Sequence, residues 1–421
     1  MTGKRIPAAQ SKAMAITVAI LLFTLGSWGQ TKFKVLHNFK GGMDAAAPMA
    51  GVIIDGSGNL YGTAGGGTSY GTVYELTPHA DSEWAETVLH RWNGYGENIF
   101  GGLATDPSGN LYGATALGGT HNDGTVFELS HAGKWTEHVL YNFGSRPNDA
   151  GVPDAGLLRD EAGSLFGVAF YPYELSRGSG GRWHERVLYR FQVGTSDGYA
   201  PVGTLVADSQ GNLYGATQSG GIYPPRCESG GDGCGTVFEL EREPGGRWKE
   251  KVLHRFAQFR NDGELPTAGL VMDAAGNLYG ATAQGGSVRN DGLCLVGCGV
   301  VFKLSPVANG QWKETILYNF CHAKGCTDGA GGGALAFDKA GNLYGNSAGG
   351  GLGLCPLGCG VVFELSPSAD GKWTHHVLHQ FKESDGAYPN SGLTLDKESN
   401  LYGTTFSGGT HAYGVVYKVS H

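Results

Sequence analysis

The pentapeptide Gly58-Asn59-Leu60-Tyr61-Gly62 decides the fold, because it returns along the chain at a nearly constant spacing. Identical copies start at Gly109, Gly211, Gly276 and Gly341, and looser copies start at Gly163 and Ser399. Seven copies roughly 57 residues apart indicate one supersecondary unit that is repeated in tandem.

Each unit is predicted to be a four-stranded antiparallel meander. In one copy, four runs rich in β-branched and aromatic residues are separated by glycine and aspartate turns, at 269–273, 277–281, 299–304 and 312–320. Such runs are typical of strands, and none has a helical period. The unit is close in length to a propeller blade and much longer than a β-helix rung.

The two ends of the repeat predict how a ring would close. The seventh copy has three strands, at 392–396, 401–405 and 414–419, and lacks the fourth. The segment Phe33–Phe39 carries the fourth-strand pattern and precedes the first copy. Pairing this segment into the last blade removes both exposed sheet edges. We therefore predict an all-β, seven-bladed propeller over residues 30–421, closed by its N-terminal strand.

Residues 1–29 have the three-part layout of a secretory signal peptide. Basic residues precede an apolar run from Ala13 to Leu25, and the small residues Ser27 and Gly29 precede a possible cut before Gln30. An uncleaved membrane anchor is the alternative, although the run is shorter than the ~20 residues of a spanning helix. We expect a secreted or periplasmic protein with no membrane span after cleavage.

The charge balance argues against nucleic acid as a partner. Without Lys4, Arg5 and Lys12 the chain has 27 basic and 38 acidic residues, a net charge of −11. A surface of that sign repels phosphate backbones and anionic lipid.

Five motifs recur in the repeat: Asp-x-x-Gly-Asn-Leu-Tyr-Gly, a Gly-Gly loop, Gly-Thr-Val-Phe-Glu-Leu, Trp-x-Glu-x-Val-Leu-Tyr-x-Phe and Asp-Gly-x-x-Pro. Together they resemble the Gloeo/Verruco (GloVer) repeat family of exported bacterial proteins, and the resemblance extends from Phe33 to His421. It implies a secreted or surface repeat protein, in a family without an established biochemical activity.

Residues that recur in every blade are interpreted as structural. The aspartate three positions before each hairpin glycine or serine can accept backbone N–H bonds inside the turn. The tryptophans that open the fourth strands are expected to pack between blades. A column of His37, His90, His254 and His379 is filled elsewhere by tyrosine, which argues against a metal role. No catalytic motif is found in its required context.

Variable loops are expected on one face of the ring, which we call the loop face. It carries the second-to-third strand loops and the connections between blades, and all eight cysteines fall on it. In an exported protein we predict four local disulfides: Cys227–Cys234, Cys294–Cys298, Cys321–Cys326 and Cys355–Cys359. The alternative is a four-thiolate zinc site made by Cys294/Cys298 with Cys355/Cys359.

A second set of aspartates lies four residues before a proline. The set comprises Asp44, Asp149, Asp197, Asp262 and Asp385. Asp-Gly-x-x-Pro suits a turn. The alternative is an acidic ring around the channel mouth that holds Ca²⁺ or a cationic or polyhydroxylated ligand. No other cofactor or metal is expected.

The leading hypothesis is an exported, non-catalytic binding propeller with a carbohydrate or protein ligand on the loop face. Tall cysteine-bearing loops of blades four to six should face a low third blade, where Phe170-Tyr171-Pro172-Tyr173 replaces the loop. The binding candidates are Tyr171, Tyr173, Asp197, Arg226, Asp262, His322, Asp385 and His411. The alternative is a lyase or hydrolase acting on a sugar or lactone at the channel mouth. Its non-repeating candidate residues are His121, Arg226, Glu228, Arg260, His322 and His411.

Overall fold

The repeated units form antiparallel blades around a common channel. The computed structural model describes residues 31–420 apart from 43, 66–70, 80–82, 93–97, 225–226, 228–230, 260 and 288–293. The predicted signal peptide lies outside the described residues. The described chain forms seven antiparallel sheets, one for each blade, and the predicted seven-bladed propeller is confirmed. Among these residues, no helix is long and apolar enough to cross a bilayer.

Each blade runs from an inner strand at the channel to an outer strand at the rim. The strand β1 (Lys32–Asn38) precedes the first blade in sequence. Blade one comprises β2 (Ile53–Ile54), β3 (Leu60–Ala64), β4 (Thr72–Pro78) and β5 (Trp84–Arg91). Blade two comprises β6 (Ala104–Thr105), β7 (Leu111–Thr115), β8 (Thr125–His131) and β9 (Trp135–Asn142). Blade three comprises β10 (Leu158–Arg159), β11 (Leu165–Val168), β12 (Pro172–Arg177) and β13 (Trp183–Val187).

The remaining blades repeat this order. Blade four comprises β14 (Gly198–Ala207), β15 (Leu213–Gly220), β16 (Thr236–Arg242) and β17 (Trp248–Arg255). Blade five has a divided inner strand and comprises β18 (Gly263–Pro266), β19 (Val271–Met272), β20 (Leu278–Gly285), β21 (Val300–Pro306) and β22 (Trp312–Asn319). Blade six comprises β23 (Ala330–Phe337), β24 (Leu343–Gly349), β25 (Val361–Pro367) and β26 (Trp373–Gln380). Blade seven includes β27 (Thr394–Leu395), β28 (Leu401–Thr405) and β29 (Val415–Ser420).

The ring closes through β1, as the sequence predicts. This strand pairs antiparallel with β29, from Lys32 opposite Ser420 to Asn38 opposite Val415. The backbone N–H of Phe39 extends the pairing by donating to the carbonyl of Gly414 at 3.1 Å. The last blade therefore combines strands from both ends of the repeat, with β1 as its outer strand and β29 paired on both sides by β1 and β28.

The recurring aspartates build the hairpin turns. Asp55 Oδ1 accepts the backbone N–H groups of Ser57 and Asn59, and its Oδ2 accepts from the Asn59 amide and the Tyr61 hydroxyl. Gly58 supplies the positive φ of 89° that this turn requires. Five other repeats have the same four acceptor bonds, and Asp160 of blade three accepts from Ser164 N. These carboxylates are turn acceptors, as expected.

At every blade boundary a buried ring that follows one outer strand meets a ring on the third strand of the next blade. Phe39 packs edge-on against Tyr74, with ring centroids 5.1 Å apart, and Phe320 packs against Phe363 at 5.4 Å. The other pairs are Trp92–Phe127, Phe143–Tyr173, Phe191–Phe238, Phe256–Phe302 and Phe381–Tyr417. Each pair stabilises the fold by about 0.5–1.5 kcal/mol beyond the area it buries.

The glycine that ends the pentapeptide makes room for the third-strand ring. A Cβ added at Gly280 would lie 2.6 Å from Cζ of Phe302, and one added at Gly113 would lie 2.5 Å from Cζ of Phe127. Side-chain carbons do not pack that closely, so a larger residue would displace the ring from the core. The hairpin glycine is therefore needed for the aromatic contact between neighbouring blades.

The recurring tryptophans also pack between blades. Trp135 of blade two lies 6.2 Å from the ring of Tyr61 in blade one, and Trp312 lies 6.1 Å from Tyr214 in the same relation. The equivalent contacts are Trp84–Tyr402, Trp248–Phe166 and Trp373–Tyr279. Packing between neighbouring blades, rather than a sugar-stacking platform, accounts for the period of these residues.

Phe39→Ala tests the closure. Phe39 is fully buried, so its removal should lower the free energy of unfolding by about 3–5 kcal/mol in a urea titration. Lys32→Ala, at an exposed position of β1, the strand that ends just before Phe39, is the control and should change the free energy of unfolding by less than about 0.5 kcal/mol. Deleting residues 30–40 should cost more than Phe39→Ala, because it also exposes the edge of β29. A truncated protein as stable as the full chain would contradict closure through β1.

Candidate functional site

The cysteines pair locally in the arrangement that the sequence predicts. Disulfides join residues four to seven positions apart: Cys227–Cys234, Cys294–Cys298, Cys321–Cys326 and Cys355–Cys359. Three of them clamp second-to-third strand loops of blades four, five and six, and Cys321–Cys326 clamps the connection after β22. Three successive blades therefore carry a disulfide-clamped loop on the loop face.

A cleft opens between the clamped loops of blades five and six, and we call it the disulfide cleft. Its volume is about 630 Å³, and its walls include Leu295, Val296, Pro356 and Leu357. Leu295 is 79% exposed and Leu357 is 69% exposed. Large apolar side chains that protrude beside a pocket are typical of interaction surfaces.

The chemistry of the disulfide cleft is mostly apolar. Among the described lining residues, Gln284 and Tyr388 are the only ones with a polar side chain apart from the cysteines. The floor consists of small residues: Ala283, Ala330, Gly331, Ala348 and Gly349. A lining of this kind suits an apolar side chain or a short peptide, with glycine backbone groups as the main hydrogen-bonding partners.

The prediction for the third blade is partly wrong. Tyr173 is fully buried and pairs with Phe143, because it occupies the third-strand position that Phe127 holds in blade two. It does not lie at the rim. Phe170 is 63% exposed, and the half-buried Tyr171 ring is covered by the guanidinium of Arg190 at 4.8 Å. Two aromatic residues, not three, are left near the surface of this blade.

The aspartates before proline act in turns, as the leading interpretation holds, and the alternative of an acidic ring at the channel mouth is not supported. Asp197, Asp262 and Asp385 each accept a backbone N–H of the turn after an outer strand, from Gln192, Gln258 and Lys382. None of the five aspartates of this set is among the described residues that line the channel. They face the outer strands, because the turn directs the carboxylate back over the strand that precedes it.

The non-repeating candidates belong to different loops. His121 lies between β7 and β8, His322 follows β22, and His411 lies between β28 and β29. All three are exposed. None of them belongs to a described group of three or more side chains that could share a metal ion. Arg226, Glu228 and Arg260 lie outside the described residues.

A cluster missed by the sequence analysis lies between neighbouring outer strands. His254 Nε2 is 3.3 Å from Asp262 and 3.6 Å from Glu314 of the next blade. An equivalent cluster joins His37, Asp44 and Glu86. The glutamate belongs to the Trp-x-Glu motif, which recurs in the same outer strands as the histidine column. This recurrence was the sequence signal that could have predicted the contact. We call these groups the interblade clusters.

Burial sets the protonation of the interblade clusters. Burial, with a further contribution from the Asp262 charge, raises the pKa of Glu314 to about 9. Burial and the neighbouring Asp44 raise the pKa of Glu86 to about 8. Glu250 holds the equivalent motif position on β17, and burial together with Asp197 raises its pKa to about 7. A protonated glutamate can donate to its aspartate, so a shared proton replaces like-charge repulsion. These contacts bind blade to blade.

The channel carries one unusual charge. Its volume is about 410 Å³, and Asp154 is the only charged side chain among the described lining residues. Desolvation by the surrounding blades raises the pKa of Asp154. Other repeats place Met49, Phe100, Val202, Thr267 and Asn390 at this position after the proline column. Asp154 is thus the one charged residue among these aligned positions, and this contrast could have identified it from the sequence.

The interblade clusters predict a loss of stability with rising pH. An acid whose folded pKa exceeds its unfolded value of about 4.3 retains a proton on folding, so stability falls between the two values. Burial lowers the pKa of His37, His90 and His375. These histidines make stability rise with pH, but only below their unfolded pKa of about 6.5. We therefore expect the free energy of unfolding to fall between about pH 6.5 and 9.

Glu314→Gln should reduce this pH dependence by up to about 1.4 kcal/mol per pH unit. The matched control is Glu161→Gln, at an exposed hairpin position. Urea titrations at intervals from pH 6.5 to 9 measure the slope. If Glu314→Gln keeps the wild-type slope, the raised pKa of Glu314 does not control stability.

Several solved structures resemble the chain in fold at low sequence identity. The extracellular domain of a protein assigned as a one component system from B. thetaiotaomicron is 13% identical, with a TM-score of 0.54 over 94% of this chain and 42% of that domain. Kuenenia stuttgartiensis hydrazine synthase is 14% identical, with a TM-score of 0.52 over 86% and 94% of the two chains. A protein assigned as a 6-phosphogluconolactonase from Bacteroides fragilis is 13% identical, with a TM-score of 0.50 over 82% and 86%.

These likenesses show a shared fold alone, and the chain spans about two fifths of the length of the B. thetaiotaomicron domain. No curated protein matches the chain in sequence. The profile of the Gloeobacter/Verrucomicrobia repeat matches residues 21–179, 173–355 and 295–421, which together cover the whole propeller. The chain belongs to the Gloeobacter/Verrucomicrobia repeat family.

Proposed function

We propose that this protein is an extracytoplasmic, non-catalytic binding propeller whose ligand site is the disulfide cleft. The observation that carries the proposal is the exposure of Leu295 and Leu357 on opposite walls of a cleft about 630 Å³ in volume. Burying apolar surface of this kind against a ligand stabilises a complex by about 25 cal/mol per Å² before the entropy of association is subtracted.

The disulfides support a preformed site. Cys294–Cys298 and Cys355–Cys359 clamp the two loops that carry these leucines. A loop that is already ordered loses little conformational entropy on binding, so more of the contact energy appears as affinity. Disulfides also suit an oxidising, extracytoplasmic compartment. An extracellular domain has the same fold.

The ligand that this cleft favours is an apolar segment of a protein or peptide. A carbohydrate site needs several polar side chains beside an aromatic platform, and this cleft offers Gln284 and Tyr388. Leu352 and Leu354, which are 69% and 95% exposed, extend the apolar surface along the blade-six loop. The combined surface suits the side chains of an extended peptide.

The alternative, a lyase or hydrolase at the channel mouth, has less support. Catalysis of that kind needs an acid–base pair or a metal beside the reacting bond. The described histidine candidates belong to three separate loops. In the channel, Asp154 has no second charged group among the described lining residues.

The double variant Leu295→Asp/Leu357→Asp tests the proposal. A phage-displayed random peptide library, panned on residues 30–421, should yield peptides rich in apolar residues. Their affinity for the double variant should fall at least tenfold, or about 1.4 kcal/mol. The matched control is Val139→Asp, which changes a side chain 48% exposed on β9 of blade two and should leave the affinity unchanged.

Two results would contradict the proposal. One is a library that yields no peptide discriminating the wild type from the double variant, while circular dichroism shows both proteins folded. The other is a glycan, found on an array, that binds the double variant as tightly as the wild type. That result would place the ligand site elsewhere and the ligand in a different chemical class.

A further inference from the structure

Four cysteine sulfurs converge at one place on the loop face. Cys294 and Cys298 come from the loop between β20 and β21, and Cys321 and Cys326 come from the connection after β22. Their Sγ atoms all lie within 4.8 Å of one another. Cys298, Cys321 and Cys326 are 5% exposed or less. The alternative drawn from the sequence paired Cys294/Cys298 with Cys355/Cys359, and the structure places Cys321/Cys326 beside Cys294/Cys298 instead.

A backbone hydrogen bond joins the two segments, because the N–H of Gly331 donates to the carbonyl of Cys298 at 2.8 Å. Within the connection after β22, the N–H of Cys321 donates to the carbonyl of Gly329 at 3.0 Å. Cys321 and Cys326 have positive φ values of 60° and 54°, a conformation that residues with a Cβ rarely adopt. The folded chain therefore holds these cysteines in less favourable backbone conformations that direct both sulfurs to one point.

The neighbouring loop provides an internal comparison. Cys355 and Cys359 have the same spacing as Cys294 and Cys298 and occupy the equivalent loop of blade six. That pair belongs to no described group of three or more possible ligand side chains. A clamped loop therefore does not need a second cysteine pair beside it. The approach of Cys321 and Cys326 requires a separate explanation.

We propose that Cys294, Cys298, Cys321 and Cys326 form a tetrathiolate zinc site when their two disulfides are reduced. A tetrahedral zinc with Zn–S distances of about 2.3 Å places its sulfurs roughly 3.8 Å apart, which the observed convergence accommodates. Two cysteine pairs with three and four intervening residues fall within the ligand spacing of structural zinc sites. Four buried thiolates select a soft tetrahedral cation over Ca²⁺ or Mg²⁺.

The reaction balances with a dithiol as the reductant. Two dithiols supply four electrons and four protons, which cleave both S–S bonds to four thiols, and the dithiols become two disulfides. Zinc then displaces four protons as the thiolates bind it. Each disulfide closes only its own short loop, whereas zinc joins the blade-five loop to the connection that enters blade six. The metal form therefore cross-links one end of the disulfide cleft.

The test counts zinc in the mature chain, residues 30–421. The protein is reduced with a phosphine, incubated with zinc chloride, desalted anaerobically and analysed by mass spectrometry for metal and thiols. We expect about one tightly bound zinc in the reduced chain and none in the oxidised chain. Cys321→Ser/Cys326→Ser should lose it. The matched control Cys355→Ser/Cys359→Ser should retain it.

Cobalt provides a readout that needs no variant. Co²⁺ bound to the reduced wild type should give the absorption of tetrahedral thiolate coordination, and zinc should displace it. If Cys321→Ser/Cys326→Ser does not fold, the second variant Cys294→Ser/Cys298→Ser should lose the zinc instead. The cobalt spectrum of the wild type then tests the four-sulfur coordination. A folded, reduced wild type without stoichiometric zinc would overturn the proposal. So would zinc that persists in Cys321→Ser/Cys326→Ser, or zinc that is lost in the control. None of these readouts depends on ligand binding at the cleft.

Discussion

The contact between an aromatic ring and a glycine at each blade boundary is the constraint on which the rest of the structure depends. The third-strand ring lies over the glycine of the second strand in its own blade, and its edge receives a ring from the blade before. Removing the glycine would displace the ring, and losing the ring would separate two blades. Because the boundaries form a closed circuit, no blade can leave without breaking two of these contacts.

The interblade clusters add a second set of contacts between blades near the rim, made by ionisable side chains. The aromatic circuit is apolar and insensitive to pH, whereas Glu86, Glu250 and Glu314 are buried carboxyl groups beside aspartates. A buried carboxyl group is tolerated when it retains its proton or finds a partner. The protein thus combines a permanent apolar contact with a protonation-dependent one at several boundaries, and the loop face is built above both.

Periodicity explains why so much of the fold could be predicted. A pentapeptide repeated seven times reports the same turn and strands each time, and the complementary ends predict β1 beside β29. Side-chain direction was harder to predict. Tyr173 follows a shortened loop, and the sequence placed it in that loop. The strand register instead makes it the core residue of β12. The aspartates before proline could face the channel or the rim, and only the folded turn decides between them.

Contacts between segments outside the regular strands were also hidden. The aligned cysteine loops of blades five and six suggested partners one blade apart, but the connection after β22 folds back over its own blade. Its path depends on hydrogen bonds of Cys321 and Gly331 that no spacing rule predicts. The disulfide cleft could not be predicted for the same reason, because its walls come from two loops and its floor comes from the strands β20, β23 and β24.

The uniformity of the boundaries has an evolutionary consequence. Since every boundary uses the same type of aromatic pair, a copied blade can pack against any neighbour without new contacts having to evolve first. Gene duplication can therefore lengthen or renew the ring one unit at a time, and single blades are free to diverge on their outer loops. Blade three has a short second-to-third strand loop and keeps Tyr173 in the circuit. Blades four, five and six carry a disulfide in the same loop, so one scaffold supports loops of very different construction within one chain.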